Sequence, residues 1–181
     1  HHADYMISSV TALADDALYS TLEQAAVAGG RRLFLPHGAL VGADALFEQR
    51  AAWDSVTITF RKHPDNIDFS ESGIDKGSIG GETAIYDGPV RGIADLFPRN
   101  VNTMVTCALA SVGLDRCRAV LVADPSLDRA IAELEARGTD GSVVTSRKEQ
   151  PAVGVSGTDM LNSIFHSIEI ASRLPPGVAF V

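Results

Sequence analysis

Apolar positions along the chain recur with two different periods, and the change from one to the other outlines the elements. After a short apolar segment at Met6 to Val10, two aspartates at 15 and 16 precede Leu18, Leu22, Ala25 and Ala26, the spacing of one helix face, and Gly29-Gly30 stops it. Arg31 to Leu35 then reads as a strand, so the chain opens strand, helix, strand, in the manner of a parallel-sheet unit. Leu40 to Arg50 has the makings of a helix, and Ser55 to Arg61 (SVTITFR) alternates β-branched residues as a half-buried strand does. Polar residues from His63 to Glu82 form a loop. Thr83 to Tyr86 follows as a strand, and Arg91 to Phe97 as a short helix ended by Pro98.

The clearest helix comes next. Val101, Met104, Val105, Ala108, Leu109 and Val112 fall at i, i+3, i+4, i+7, i+8 and i+11, one continuous apolar face, with Asn100 as N-cap and Gly113 as the stop. Arg118 to Ala123 (RAVLVA) is a buried strand ending at Asp124-Pro125. Ala130 to Arg137 has helix-forming composition, yet its side chains alternate small or apolar with charged. With the turn residues 138–141 and the SVVTS segment after them, this predicts a hairpin. Met160 to Ala171 is a last amphipathic helix, before Pro175-Pro176. The fold class expected is α/β with α+β character: a mixed open sheet packed by helices.

At 181 residues the chain is long enough for one well-buried domain, or for one domain and part of another. A net charge of −8 without a Lys/Arg cluster argues against binding to nucleic acid or an anionic membrane. No apolar run approaches the roughly 20 residues that span a bilayer, and no signal peptide opens the chain, so a cytoplasmic location is expected. His1 and His2 read as the end of a purification tag. Cys107 and Cys117 have no metal-like spacing and read as buried, reduced thiols, and no metal site is expected. No GxGxxG phosphate cradle is present; Gly77-Ser78-Ile79-Gly80-Gly81 has the wrong spacing and lies in a polar loop.

Several short motifs, in order, resemble the L-aspartate dehydrogenases over about Ile7 to Arg173. Ser9-Val10-Thr11-Ala12-Leu13-Ala14-Asp15 echoes that family's SVGAL(A)D, and Pro36-His37-Gly38-Ala39-Leu40-Val41-Gly42 its PSGA(I/L)xG. Thr59 to Pro64 partly keeps TxRKP with one insertion, Phe97 to Asn102 keeps FPxNVN whole, and Ala123-Asp124-Pro125 keeps ADP. The resemblance implies residues 1–35 as the tail of a Rossmann-like nucleotide-binding domain, 36–158 as a catalytic and dimerisation domain, and 159–181 as a C-terminal helix and tail. It also implies reversible oxidation of L-aspartate to iminosuccinate with NAD or NADP, an upstream nucleotide-binding half beyond this chain, and a homodimer.

By the same resemblance the backbone around Ala39 and the side chain of Asn102 contact the cofactor. The first turn of a helix, with its unpaired N–H groups and positive dipole end, gives Asn102 a physical reason to do so, although Asn100 and Asn102 equally fit as caps of a core helix. Arg61 and Lys62, at the end of a strand, are candidates to bind a dicarboxylate. Two departures stand against the family pattern. Ala130 and Ala132 fall where the family has an NxH pair, so its catalytic histidine is replaced by Ala132, and Gly154 to Thr158 departs from NPKTS and loses a lysine. Loss of a general acid or base commonly costs about 10²–10⁴-fold in rate. His37, inside the PHGA turn, is the candidate replacement; His63 reads as a loop residue, and His166 as a residue of the final helix that either packs or is exposed. Against the dehydrogenase stands a non-catalytic dimerisation or regulatory module that kept the fold and lost the site, and more distantly a small-acid-binding protein using Arg61 and Lys62.

Overall fold

The computed structural model describes residues 3–154, 156–157 and 160–173. His1 and His2, Val155, Thr158 and the Pro175-Pro176 pair, all named above, lie outside the described residues. Two sheets organise the chain. β1 (Tyr5–Met6) and β2 (Leu33–Phe34) pair in parallel across α1 (Asp16–Gly29), which realises the strand, helix, strand opening. A six-stranded sheet then holds β3 (Trp53–Lys62), β4 (Thr83–Pro89), β5 (Arg118–Ala123), β6 (Arg129–Gly138), β7 (Val143–Val153) and β8 (Ser156–Gly157). Its spatial order is β4-β5-β3-β6-β7-β8, with β3 and β5 parallel and the other pairs antiparallel. The fold is therefore mixed α/β, an open mixed sheet packed by helices.

Alternation decides which face is covered. On β3 the buried Val56, Ile58, Phe60 and Lys62 alternate with the half-buried Thr57, Thr59 and Arg61. Helices α2 (Ala43–Glu48), α3 (Val90–Leu96) and α4 (Asn102–Leu109) put Leu46, Ile93, Met104 and Val105 into the same core as Val56, Ile58 and Leu121. Each large side chain buried there contributes on the order of 1.5–3 kcal/mol before the entropy of ordering it. The opposite face carries Thr57, Thr59, Arg61, Glu133, Glu135, Arg147 and Glu149, half-buried or exposed.

Four elements differ from expectation. Of the segment Met6 to Val10 only Met6 lies in a strand; Val10–Ala14 is a 3-10 turn whose Val10 and Leu13 bury in the main core. The helix expected from Leu40 begins only at Ala43, behind Gly42 at φ 87°. Asn100 does not cap α4: its Oδ1 accepts from Asp68 N at 2.9 Å and its Nδ2 donates to Asn66 O at 3.2 Å, which secures the 63–82 excursion instead. The second arm of the hairpin, expected to end near Ser146, continues to Val153, with Val144, Ser146, Lys148 and Gln150 half-buried on the helix-covered side. That alternation is polar against polar, so a hydrophobic period could not reveal it.

Candidate active site

The cavity of interest, about 110 Å³, lies where a loop, a helix start and the sheet meet. Its floor is the helix-covered face of the sheet near the C-terminal end of β3. Across the strands, Phe60 pairs with Ala132 and Ala132 with Lys148, while Ala130 pairs with Gln150. Its rim is the turn Pro36-His37-Gly38-Ala39 and the first residues of α4. Gly38 makes that turn at φ 59°, and the last helix, α5 (Met160–Arg173), holds it through Ser163 Oγ, which donates to Gly38 O at 2.9 Å.

Asn102 is the first residue of α4, and its amide is oriented by its partner. Oδ1 accepts from both Thr11 N at 2.9 Å and Thr11 Oγ1 at 2.7 Å, so the nitrogen of the amide must be on the other side, where it can donate to a ligand carbonyl. Thr11 is buried and ties the 3-10 turn to the helix start.

Lys62 is the unusual group. Only 7% exposed, it enters the floor with Nζ 5.3 Å from the centroid of the Phe60 ring. Burial disfavours the charged form and pushes its ammonium down from the usual value to about 8. Among the described residues no Asp or Glu lines the cavity; the ionisable side chains that line it are His37, Lys62, Arg99 and Lys148, and Arg99 is paired with Asp68 at 2.9 Å. Gln150 Oε1, inaccessible to solvent, has no hydrogen-bond partner among the described residues, which leaves a buried acceptor on the same floor.

The other sequence candidates divide. Ala39, Asn102, His37 and Lys62 come together around the cavity, as do Ala130 and Ala132. Arg61 does not: one residue along a strand points to the opposite face, and there its guanidinium pairs with Glu133 at 3.2 Å and with Glu82. Arg61 therefore stands outside this cavity. His63 and His166 line neither the floor nor the rim. Lys148 and Gln150 were missed because the strand bearing them was expected to end near Ser146, and β7 continues to Val153. Among the described residues no group of three or more His, Cys, Asp and Glu is placed to hold a metal, and no helix is long and apolar enough to cross a membrane. Cys107 and Cys117 are free and buried; the hydrogen bond to Cys117, and burial, hold the Cys107 thiol well above its ordinary range.

A mixed sheet with a small cavity between its floor, a glycine turn and a helix start defines an α/β domain. The family model "Aspartate dehydrogenase, C-terminal" matches residues 44–167. The chain belongs to the aspartate dehydrogenase family. The L-aspartate dehydrogenase of Methanococcoides burtonii is 33% identical over 166 residues, covering 89% of this chain and 61% of the relative. That of Methanosarcina acetivorans is 33% identical over 183 residues, covering 93% and 68%. The crystal structure of the Thermotoga maritima aspartate dehydrogenase superposes with a TM-score of 0.72 at 26% identity, covering 96% of this chain and 68% of that one. The chain thus spans roughly two-thirds or less of the length of these relatives.

Proposed function

We propose that this chain is the greater part of a nicotinamide-dependent oxidoreductase that interconverts L-aspartate, or a related amino acid, with its imino or keto acid. The observation that carries the reading is the meeting of Asn102, with an amide nitrogen left to donate, and the buried Lys62 in one cavity within a chain of this family. These residues fit a nicotinamide: Asn102 Nδ2 would donate to its carboxamide oxygen, and the glycine turn at Gly38-Ala39 would let its ring approach the backbone. When bound, that ring takes or gives a hydride at the substrate carbon. This chain's residues orient it and, with a cavity wall that carries Lys62, Arg99 and Lys148 and no carboxylate among the described residues, hold an anionic substrate beside it.

In this reading residues 1–35 are the tail of a nucleotide-binding domain, residues 36–158 the catalytic and dimerisation domain, and 159–181 its closing helix and tail. The length that the relatives have beyond this chain accommodates the GxGxxG-bearing half that binds NAD or NADP. The enzyme is cytoplasmic, and it forms a homodimer through the sheet face that no helix covers. A second reading, a non-catalytic dimerisation or regulatory module, is favoured by Ala130 and Ala132, which place only methyl groups on the floor.

The experiment is to follow oxidation of NADH and, separately, NADPH with oxaloacetate and ammonium, using the protein together with its nucleotide-binding half. Turnover that requires ammonium is expected. Tight NADH binding without ammonium-dependent turnover, across aspartate and related keto acids, would establish the module instead.

A further inference from the structure

Resting on that dehydrogenase reading, we propose that the ε-amine of Lys62 is the catalytic acid–base group of the cavity, exchanging a proton with the substrate nitrogen. Position supports this first. Lys62 rises from the floor on the same face as Phe60, its Nζ stands over the Phe60 ring, and Phe60 is the cross-strand partner of Ala132. The amine therefore stands beside the floor position where Ala132 contributes no polar group.

The surroundings support it next. The ionisable groups facing the same space are Lys148 from β7, His37 from the β2–α2 turn and Arg99 ahead of α4; Arg61 and Glu133 are on the other side of the sheet. Among the described residues no carboxylate lines the cavity. Burial brings the amine to about 8, where an appreciable fraction is neutral and basic at working pH. Arg99 is engaged with Asp68 at 2.9 Å, and His37 lies at the rim with Nδ1 3.2 Å from Gly38 O.

The proton balance is simple. In the oxidative direction the substrate's α-ammonium gives one proton to neutral Lys62, which becomes an ammonium. The freed nitrogen lone pair would then form the C=N bond as the Cα–H bond breaks, and a bound oxidised nicotinamide would be the acceptor of the hydrogen and both its electrons. Lys62 then returns its proton to solvent. The reductive direction reverses each transfer, with charged Lys62 as the donor.

The test compares wild type, Lys62→Met and Lys62→Arg, each with its nucleotide-binding half, in aspartate oxidation from pH 6 to 10. Expected for wild type is a kcat/KM that rises through about pH 8. Lys62→Met should lose about 10²–10⁴-fold and lose that limb, and Lys62→Arg, which restores charge without titrating, should not recover it. A readout independent of turnover is the NMR titration of the Lys62 side chain in nicotinamide-free protein, with its signal assigned by its absence from Lys62→Met. A midpoint near 8 supports the proposal, and a midpoint near the ordinary lysine value of 10.5 overturns it. Full activity in Lys62→Arg, or an unchanged pH limb in Lys62→Met, overturns it too, while leaving the dehydrogenase reading standing. Wild-type protein that binds NADH yet never turns over overturns that reading, and this inference with it.

Discussion

Replacing Lys62 with methionine keeps the length of the side chain and removes the buried ammonium, so it isolates what that charge costs the fold. Lys62 falls from 10.5 in a free chain to about 8 in the folded protein. At about 1.36 kcal/mol for each tenfold change in a protonation equilibrium, the difference comes to about 3 kcal/mol. Between pH 8 and 10.5 the unfolded chain binds more protons at this site than the native one, so stability rises with pH across that window. Below pH 8 the full cost of keeping a buried ammonium is present; above about 10.5 both states are neutral and the cost is gone. Lys62→Met should therefore be more stable than wild type at pH 7, and its advantage should shrink by about 3 kcal/mol between pH 8 and 10.5. Urea unfolding of both proteins at half-unit pH steps measures this directly, because every other titrating group cancels in the difference. A gap that stays constant with pH would refute the reasoning, since it would mean that Lys62 protonates alike in both states.

Asn102→Ala removes both bonds to Thr11 and leaves a buried N–H unpaired, which should cost about 1–3 kcal/mol in urea unfolding. Asn102→Asp keeps an oxygen to accept from Thr11 but loses the amide donors, so it should raise KM for the nicotinamide while retaining most of the stability; equal loss in both variants would assign Asn102 to the fold alone. Arg61→Gln should leave KM for the amino acid unchanged and cost less than about 1 kcal/mol, because its ion pairs lie on the outer face and are partly solvated; a large rise in KM would return Arg61 to the site. Trp53→Phe, which deletes the 2.9 Å bond from Nε1 to Leu46 O in the core, should lower the midpoint of urea unfolding by the equivalent of about 1–3 kcal/mol.

Much of this architecture was legible in the order of residues. Val101, Met104, Val105 and Ala108 lie buried as their helical spacing implies, and the alternation of Ala130, Ala132, Leu134 and Ala136 outweighed the helix-forming character of the same stretch. What could not be read depends on contacts across long distances in the chain. Asn100 has the chemistry of a cap, yet the competing partners Asp68 and Asn66 were invisible from its neighbours. Arg61 and Lys62 are adjacent cations of equal standing in sequence, and only the pleat, with the helices placed on one side, separates an outer ion pair from a buried amine. Lys148 and Gln150 escaped notice because a strand polar on both faces has no hydrophobic period.

The ties that close the rim span most of the chain. Thr11 and Asn102 are 91 residues apart, and Gly38 and Ser163 are 125 apart. Neither tie can form from a local segment, and closing loops of that length costs entropy before any contact repays it. On a ribosome, the rim turn would stay unpinned until the last helix had emerged. The cavity is thus a late product of folding, and a chain stalled before residue 163 can bury much of its sheet while having no closed site to offer a ligand.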